Sequence, residues 1–226
     1  MSLALSRAAV WRCAPFALFM ALLAARGALS DGVNLGFDAR WLYGVTVLAV
    51  GGLLVWGWRE YGELSRQLWP TLGEVALSVL VGVVVFWLWI QLDAPWMRLG
   101  EPSAPFRPVG ADGQLAWGLI ALRWVGAALL VPVMEELFWR SFLMRWVDNP
   151  SFEAVPPQRV TLKAMVLSTF VFMLAHTLWL AAIVAGLAYA WLYVRRGKLW
   201  MPIVAHAVTN GVLGVWVVLT GNWQFW

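Results

Sequence analysis

The sequence predicts an all-α fold, a polytopic bundle of about seven to eight transmembrane helices, and three observations carry that reading. Of 226 residues, 62% belong to the set AVILMFWYC and only 12% are charged. The mean hydropathy is +0.74, and apolar runs of span length alternate with short loops that hold most of the Lys and Arg. Soluble domains are about 45–50% apolar and about 25% charged, so a water-facing fold is excluded and lipid must cover the excess. Eighteen Trp residues point the same way, because indole favours the boundary between headgroups and hydrocarbon. The net charge of +4 does not signal nucleic acid, because its cations sit in loops between spans, where they mark the cytoplasmic side.

The spans follow in order. Arg7 and Arg12 precede the apolar stretch 14–25, with small residues at 28–30 behind it. Those are signal-peptide features, yet the spans that follow make a retained first helix the simpler reading. Trp41–Trp58 and Gly73–Gln91 are each near the 20 helical residues a bilayer core requires, and the charged loop Arg59–Arg66 separates them. Asp93–Gly113, with Pro95, Pro102, Pro105 and Pro108, reads as an extramembrane loop. Leu115–Val147 is a span interrupted by Arg123, Glu135, Glu136, Arg140 and Arg145, and Asp148–Lys163 is a loop. Ala164–Val194 is too long for one straight span, which predicts two helices with a break after His176. Leu199–Thr220 is the last span, followed by the aromatic tail 223–226.

Placing the N-terminus, Arg59–Arg66, Arg145–Lys163 and Arg195–Lys198 on one side gathers most of the basic residues there. The positive-inside rule makes that side cytoplasmic, and seven spans then put the C-terminus opposite. The expected organisation is one membrane domain in which 1–114 supplies N-terminal helices and a loop, and 115–226 the core that carries the chemistry.

Ionisable groups inside spans are costly, so each is a functional candidate with a partner to be found. Glu136 and Arg140 stand at i,i+4 on one helix face, which predicts an ion pair. Glu135 is rotated by about 100° and faces a different neighbour. Pro132 should bend this helix by orphaning the carbonyl of Ala128. His176 lies within a span, and His206 shares a face with Asn210 at i,i+4. At 1.5 Å per residue, Glu135, His176 and His206 fall roughly 10–20 Å below the basic surface, so a shared water-filled cavity is expected. The lone cysteine, Cys13, excludes an internal disulfide and a thiolate cluster, and two histidines exclude a multi-histidine metal site. Without a recognisable Ser or Cys nucleophile motif, the chemistry these residues allow is hydrolysis by activated water, with a carboxylate and an imidazole polarising the water and further donors meeting an oxyanion.

Glu-Glu-x-x-x-Arg at 135–140, Phe-x-x-x-His at 172–176 and His-x-x-x-Asn at 206–210, in that order on successive spans, resemble the three motifs of the CPBP family. These are the CAAX-protease and bacteriocin-processing (Abi) intramembrane proteases, which include the Ras-converting CAAX endopeptidase. The resemblance covers about 115–220; the first three spans match only in being hydrophobic, and the branch resembled is a bacterial CAAX-protease-related one associated with exosortase systems. It implies an intramembrane endopeptidase in which Glu135 and His176 activate water, His206 and Asn210 form the oxyanion site, Glu136 and Arg140 hold the site together, and Phe172 packs or faces substrate. A zinc ion on Glu135, His176 and His206 is the alternative to metal-independent glutamate catalysis. The implied partners are the bilayer and a membrane-associated protein or peptide cut near the cytoplasmic half, and the implied location is a bacterial inner membrane. A non-catalytic scaffold or immunity-type factor is the competing class, and an ion-coupled transporter a third.

Overall fold

The computed structural model describes residues 6–30, 37–100, 106–110 and 112–226; Pro102 and Pro105 of the expected loop lie outside them. Among the described residues there is no strand. Seven principal helices follow one another: α1 (Arg7–Ser30), α2 (Leu42–Trp56), α3 (Leu72–Gln91), α4 (Trp117–Asp148), α5 (Leu162–Leu174), α6 (Trp179–Arg196) and α7 (Trp200–Thr220). Five of these, α1 to α4 and α7, are long and apolar enough to cross a membrane. The protein is an integral, multi-pass, all-α membrane protein.

Helix ends follow local chemistry. Thr71 accepts from the Glu74 N–H while Glu74 reaches back to the Thr71 N–H, a reciprocal cap that starts α3. Thr161 caps α5 by accepting from the Ala164 N–H. Gly197, at φ +71°, ends α6 in the left-handed region that only glycine enters at low cost.

Small residues set how closely helices pass. A Cβ on Gly82 of α3 would collide with the Ala205 carbonyl of α7, and one on Gly186 of α6 would press on Thr169 and Phe172 of α5. Ala182, Gly186 and Ala190, four residues apart along α6, are all buried, in keeping with close packing of small residues between membrane helices. The N-terminal helix is tied to α4 by Phe16 stacked on Phe138, centroids 4.2 Å apart.

Basic segments gather at one end of the bundle. There Arg7 pairs with Glu60, Arg12 with Glu63, and Lys198 with Glu74. At the other end Arg40 donates to the carbonyls of Arg107 and Val109, and Phe106 packs edge-on against Trp226.

The break between α5 and α6 falls at 175–178, so His176 sits in the break itself rather than inside a helix. The segment after α3 closes over it: Leu99 donates its N–H to the Thr177 carbonyl, and the Trp179 indole donates to the Trp96 carbonyl. The broken backbone thereby finds partners, as irregular backbone at membrane depth must.

Candidate active site

Two stretches of α4 have π-helical register, Gly126–Leu130 and Leu137–Leu143, and they flank the segment Val131–Glu136 that carries both carboxylates. Proline explains the first. The Val131 N–H bonds to the Gly126 carbonyl five residues back; in the same register Ala127 would be served by residue 132, and Pro132 has no N–H. Asn210 supplies what is missing, its Nδ2 donating to the Ala127 carbonyl at 2.9 Å. The orphaned carbonyl is thus that of Ala127, one residue earlier than an unbroken α-helical register implies.

Glu136 is fully buried, and its Oε1 accepts from Arg140 Nη1 at 3.1 Å and from His206 Nδ1 at 2.9 Å. The expected i,i+4 pair is present and recruits one histidine as well. Arg140 also donates to the Gly186 carbonyl and lies over the rings of Phe172 and Tyr189. Tyr189 stacks on His206, centroids 5.0 Å apart, and donates its hydroxyl to Thr209 Oγ1 at 2.7 Å. Thr209 in turn reaches the Gly82 and Ala205 carbonyls. His206 is therefore gripped through one nitrogen and one ring face, and Nε2 is the nitrogen left to act.

His176 Nδ1 lies 2.8 Å from the Phe172 carbonyl. A carbonyl only accepts, so Nδ1 carries the proton and Nε2 of the neutral ring presents a lone pair. Phe172 and Trp89 wall this imidazole, centroids 4.3 and 5.8 Å away. Phe172 thus backs both His176 and Arg140.

Glu135 points elsewhere than Glu136, as the 100° rotation requires. Its Oε2 is buried without a hydrogen-bond partner. It lines a cavity of about 190 Å³ together with His176, His206 and Asn210, so the four sequence-derived candidates meet on one volume. Glu136 and Arg140 stand behind it and do not line it.

The cavity draws on Trp89 near the end of α3, Arg123 in the first half of α4, Leu213 of α7, and Phe225 and Trp226, and on nothing from the basic loops. It therefore runs from the carboxylates towards the end of the bundle opposite the basic loops. Among the described residues no three His, Cys, Asp or Glu side chains are grouped to hold a metal ion.

Residues 117–212 match the family described as type II CAAX prenyl endopeptidase Rce1-like. The match covers under half of the 226 residues, and through this segment the chain is similar to that family of CAAX proteases. The match points to a protease, and the matched segment contains Glu135, Glu136, Arg140, Phe172, His176, His206 and Asn210. No curated protein and no solved structure matches the sequence.

Sequence reading gave no place in this site to Tyr189, Thr209, Trp89 or the C-terminal aromatics, and marked Arg123 only as an ionisable residue within a span. Thr209 had a signal, since it stands at i+3 from His206 on the same helix face. Tyr189 and Trp226 had none, because only the fold brings them to the cavity.

Proposed function

We propose that the protein is an intramembrane endopeptidase that hydrolyses a peptide bond of a membrane-associated protein or peptide, and that residues 115–226 carry the chemistry. One observation carries this reading: a buried carboxylate with an unpartnered oxygen, Glu135, shares a cavity with two imidazoles and an amide. A buried acceptor left unmade costs about 1–3 kcal/mol, more when charged, and a catalytic role is one reason such a group is kept.

In the proposed reaction Glu135, helped by His176 Nε2, takes a proton from a water molecule as that water attacks the scissile carbonyl. The developing oxyanion accepts from the second N–H of Asn210 and from protonated His206 Nε2. Glu135 then returns the proton to the leaving amine as the C–N bond breaks, so water is consumed and one acid and one amine are released. Glu136 keeps His206 turned into the cavity, as an outer carboxylate orients an imidazole in other enzymes. No step is assigned to a metal. The location proposed is a bacterial inner membrane. The family description names prenyl endopeptidases; a prenylated substrate is not part of the proposal.

The test is to express the intact protein and E135Q at equal levels in membranes and to map new protein termini by mass spectrometry. Termini that depend on Glu135 are expected. An identical set from both proteins overturns the reading in favour of a non-catalytic factor.

A further inference from the structure

The far end of the cavity contains donors with nothing to donate to. Arg123 Nε and Trp226 Nε1 are both buried without a hydrogen-bond partner, and both residues line the cavity. The Arg123 guanidinium is boxed by three rings, Phe106 at 4.8 Å, Tyr43 at 5.4 Å and Trp226 at 5.7 Å. Its cationic neighbour Arg26 lies over the same Tyr43 ring. Among the described residues no carboxylate pairs with Arg123. Other buried arginines are served: Arg12 by Glu63, Arg140 by Glu136, and Arg145 by the carbonyls of Ser141, Glu153 and Val155. A cation in a low-dielectric wall without a counter-ion is costly, and two idle donors beside one volume describe a site for an acceptor with negative charge.

The spacing relates that site to the chemistry. Arg123, Ala127, Val131 and Glu135 recur every fourth residue of α4 and all line the cavity. Twelve residues at about 1.5 Å each separate the two ends by roughly 18 Å. An extended peptide covers that distance in about five residues at roughly 3.4 Å each.

We propose that Arg123, with the Trp226 indole, is a specificity site that holds a carboxylate of the substrate about five residues from the bond cut at Glu135. The planar guanidinium suits a carboxylate through paired N–H donors, and the surrounding rings keep water from competing. The carboxylate is either the free carboxy terminus of the substrate or an Asp or Glu side group within it. This inference rests on the protease reading for the position of the bond, whereas the anion site stands on its own geometry.

The experiment uses the full-length protein in lipid nanodiscs and three fluorescent pools of apolar ten-residue peptides: one with a free C-terminal carboxylate, one with a C-terminal carboxamide, and one carboxamide pool carrying a single internal Asp. Binding is measured by anisotropy on E135Q protein, and cleavage by mass spectrometry on the unaltered protein. At least one acid-bearing pool is expected to bind roughly 10- to 100-fold more tightly than the plain carboxamide pool, the range for a charged hydrogen bond. That preference disappears in E135Q carrying Arg123→Gln and survives in part with Arg123→Lys, which keeps the charge and controls for folding. The pool preferred tells a terminal carboxylate from a side group, and cuts should fall about five residues from it. Equal binding of acid and carboxamide pools, no binding of either acid pool, or a preference indifferent to Arg123→Gln overturns the site. An Arg123-dependent preference without any cleavage keeps the site and sinks the protease reading instead.

Discussion

Two buried carboxylates in this protein meet opposite treatment. Glu63, in the loop after α2, has both oxygens occupied: Arg12 Nη2 donates to Oε2 at 2.6 Å, Arg12 Nε donates to Oε1 at 2.8 Å, and the Ser141 hydroxyl also donates to Oε1. Glu135 shares its cavity with histidines and leaves Oε2 without a partner. The Glu63 cluster joins α1, the Arg59–Arg66 loop and α4, and its charge is consumed in holding them. Glu135 costs the fold something and returns nothing structural. Burial of an acid therefore does not distinguish a brace from a reagent, and neither does one idle oxygen, since Glu136 Oε2 also lacks a partner; the brace Glu136 is held by two donors on Oε1, whereas Glu135 accepts from none among the described residues.

The first way to sharpen this contrast lies between the two. Glu136 is a brace inside the active region, so Arg140→Leu should strand a fully buried carboxylate. Breaking such a pair typically costs about 3–5 kcal/mol, and the expected outcome is a large fall in the unfolding midpoint of the purified protein, with activity lost along with the fold. Asn210→Ala should do less to the fold and more to turnover. It removes a proposed oxyanion donor, worth roughly 10²–10³ in rate, and also frees the Ala127 carbonyl, so a rate loss exceeding what the measured stability explains is the result that supports its double role.

Acid should report on the brace. Burial opposes the charge of Glu63, but the Arg12 guanidinium and the Ser141 hydroxyl outweigh it and hold the carboxyl below its ordinary range. A group with a depressed folded pKa contributes stability above its unfolded value and loses that contribution as pH falls through the folded one. The unfolding midpoint should drop on acidification below the usual carboxylate range, and Glu63→Gln should flatten the drop while lowering the midpoint at neutral pH. The smallest effect expected is on labelling. With Cys13 replaced, Phe225→Cys at the cavity rim should react with a membrane-impermeant thiol reagent added from the side opposite the basic loops, at little cost to stability; reaction from the basic side only would reverse the proposed access.

Much of the fold is legible in the sequence, for a physical reason. Lipid enforces helix, so hydropathy fixes spans closely: Gly73–Gln91 is expected and Leu72–Gln91 observed, and Leu199–Thr220 differs from Trp200–Thr220 by one residue. The i,i+4 partners Glu136 and Arg140 follow from helix geometry alone. The π register of α4 does not, because it shifts a hydrogen bond by one residue without changing composition. His176 in the break rather than within a helix depends on the loop around Leu99 supplying backbone partners. The anion-binding pocket proposed at Arg123 draws on α2, α4 and two segments remote in sequence; Arg123 stands out as a charge within a span, but local spacing does not bring those segments to it.

The most direct test sets E135Q against E63Q in nanodiscs, measuring the unfolding midpoint and the yield of Glu135-dependent products for each. A crossed result is expected: E135Q keeps or raises the midpoint and yields no product, whereas E63Q lowers the midpoint and still forms product in proportion to the folded protein. If E135Q unfolds as readily as E63Q, or continues to cleave, Glu135 is one more brace and hydrogen-bond occupancy does not separate the two acids.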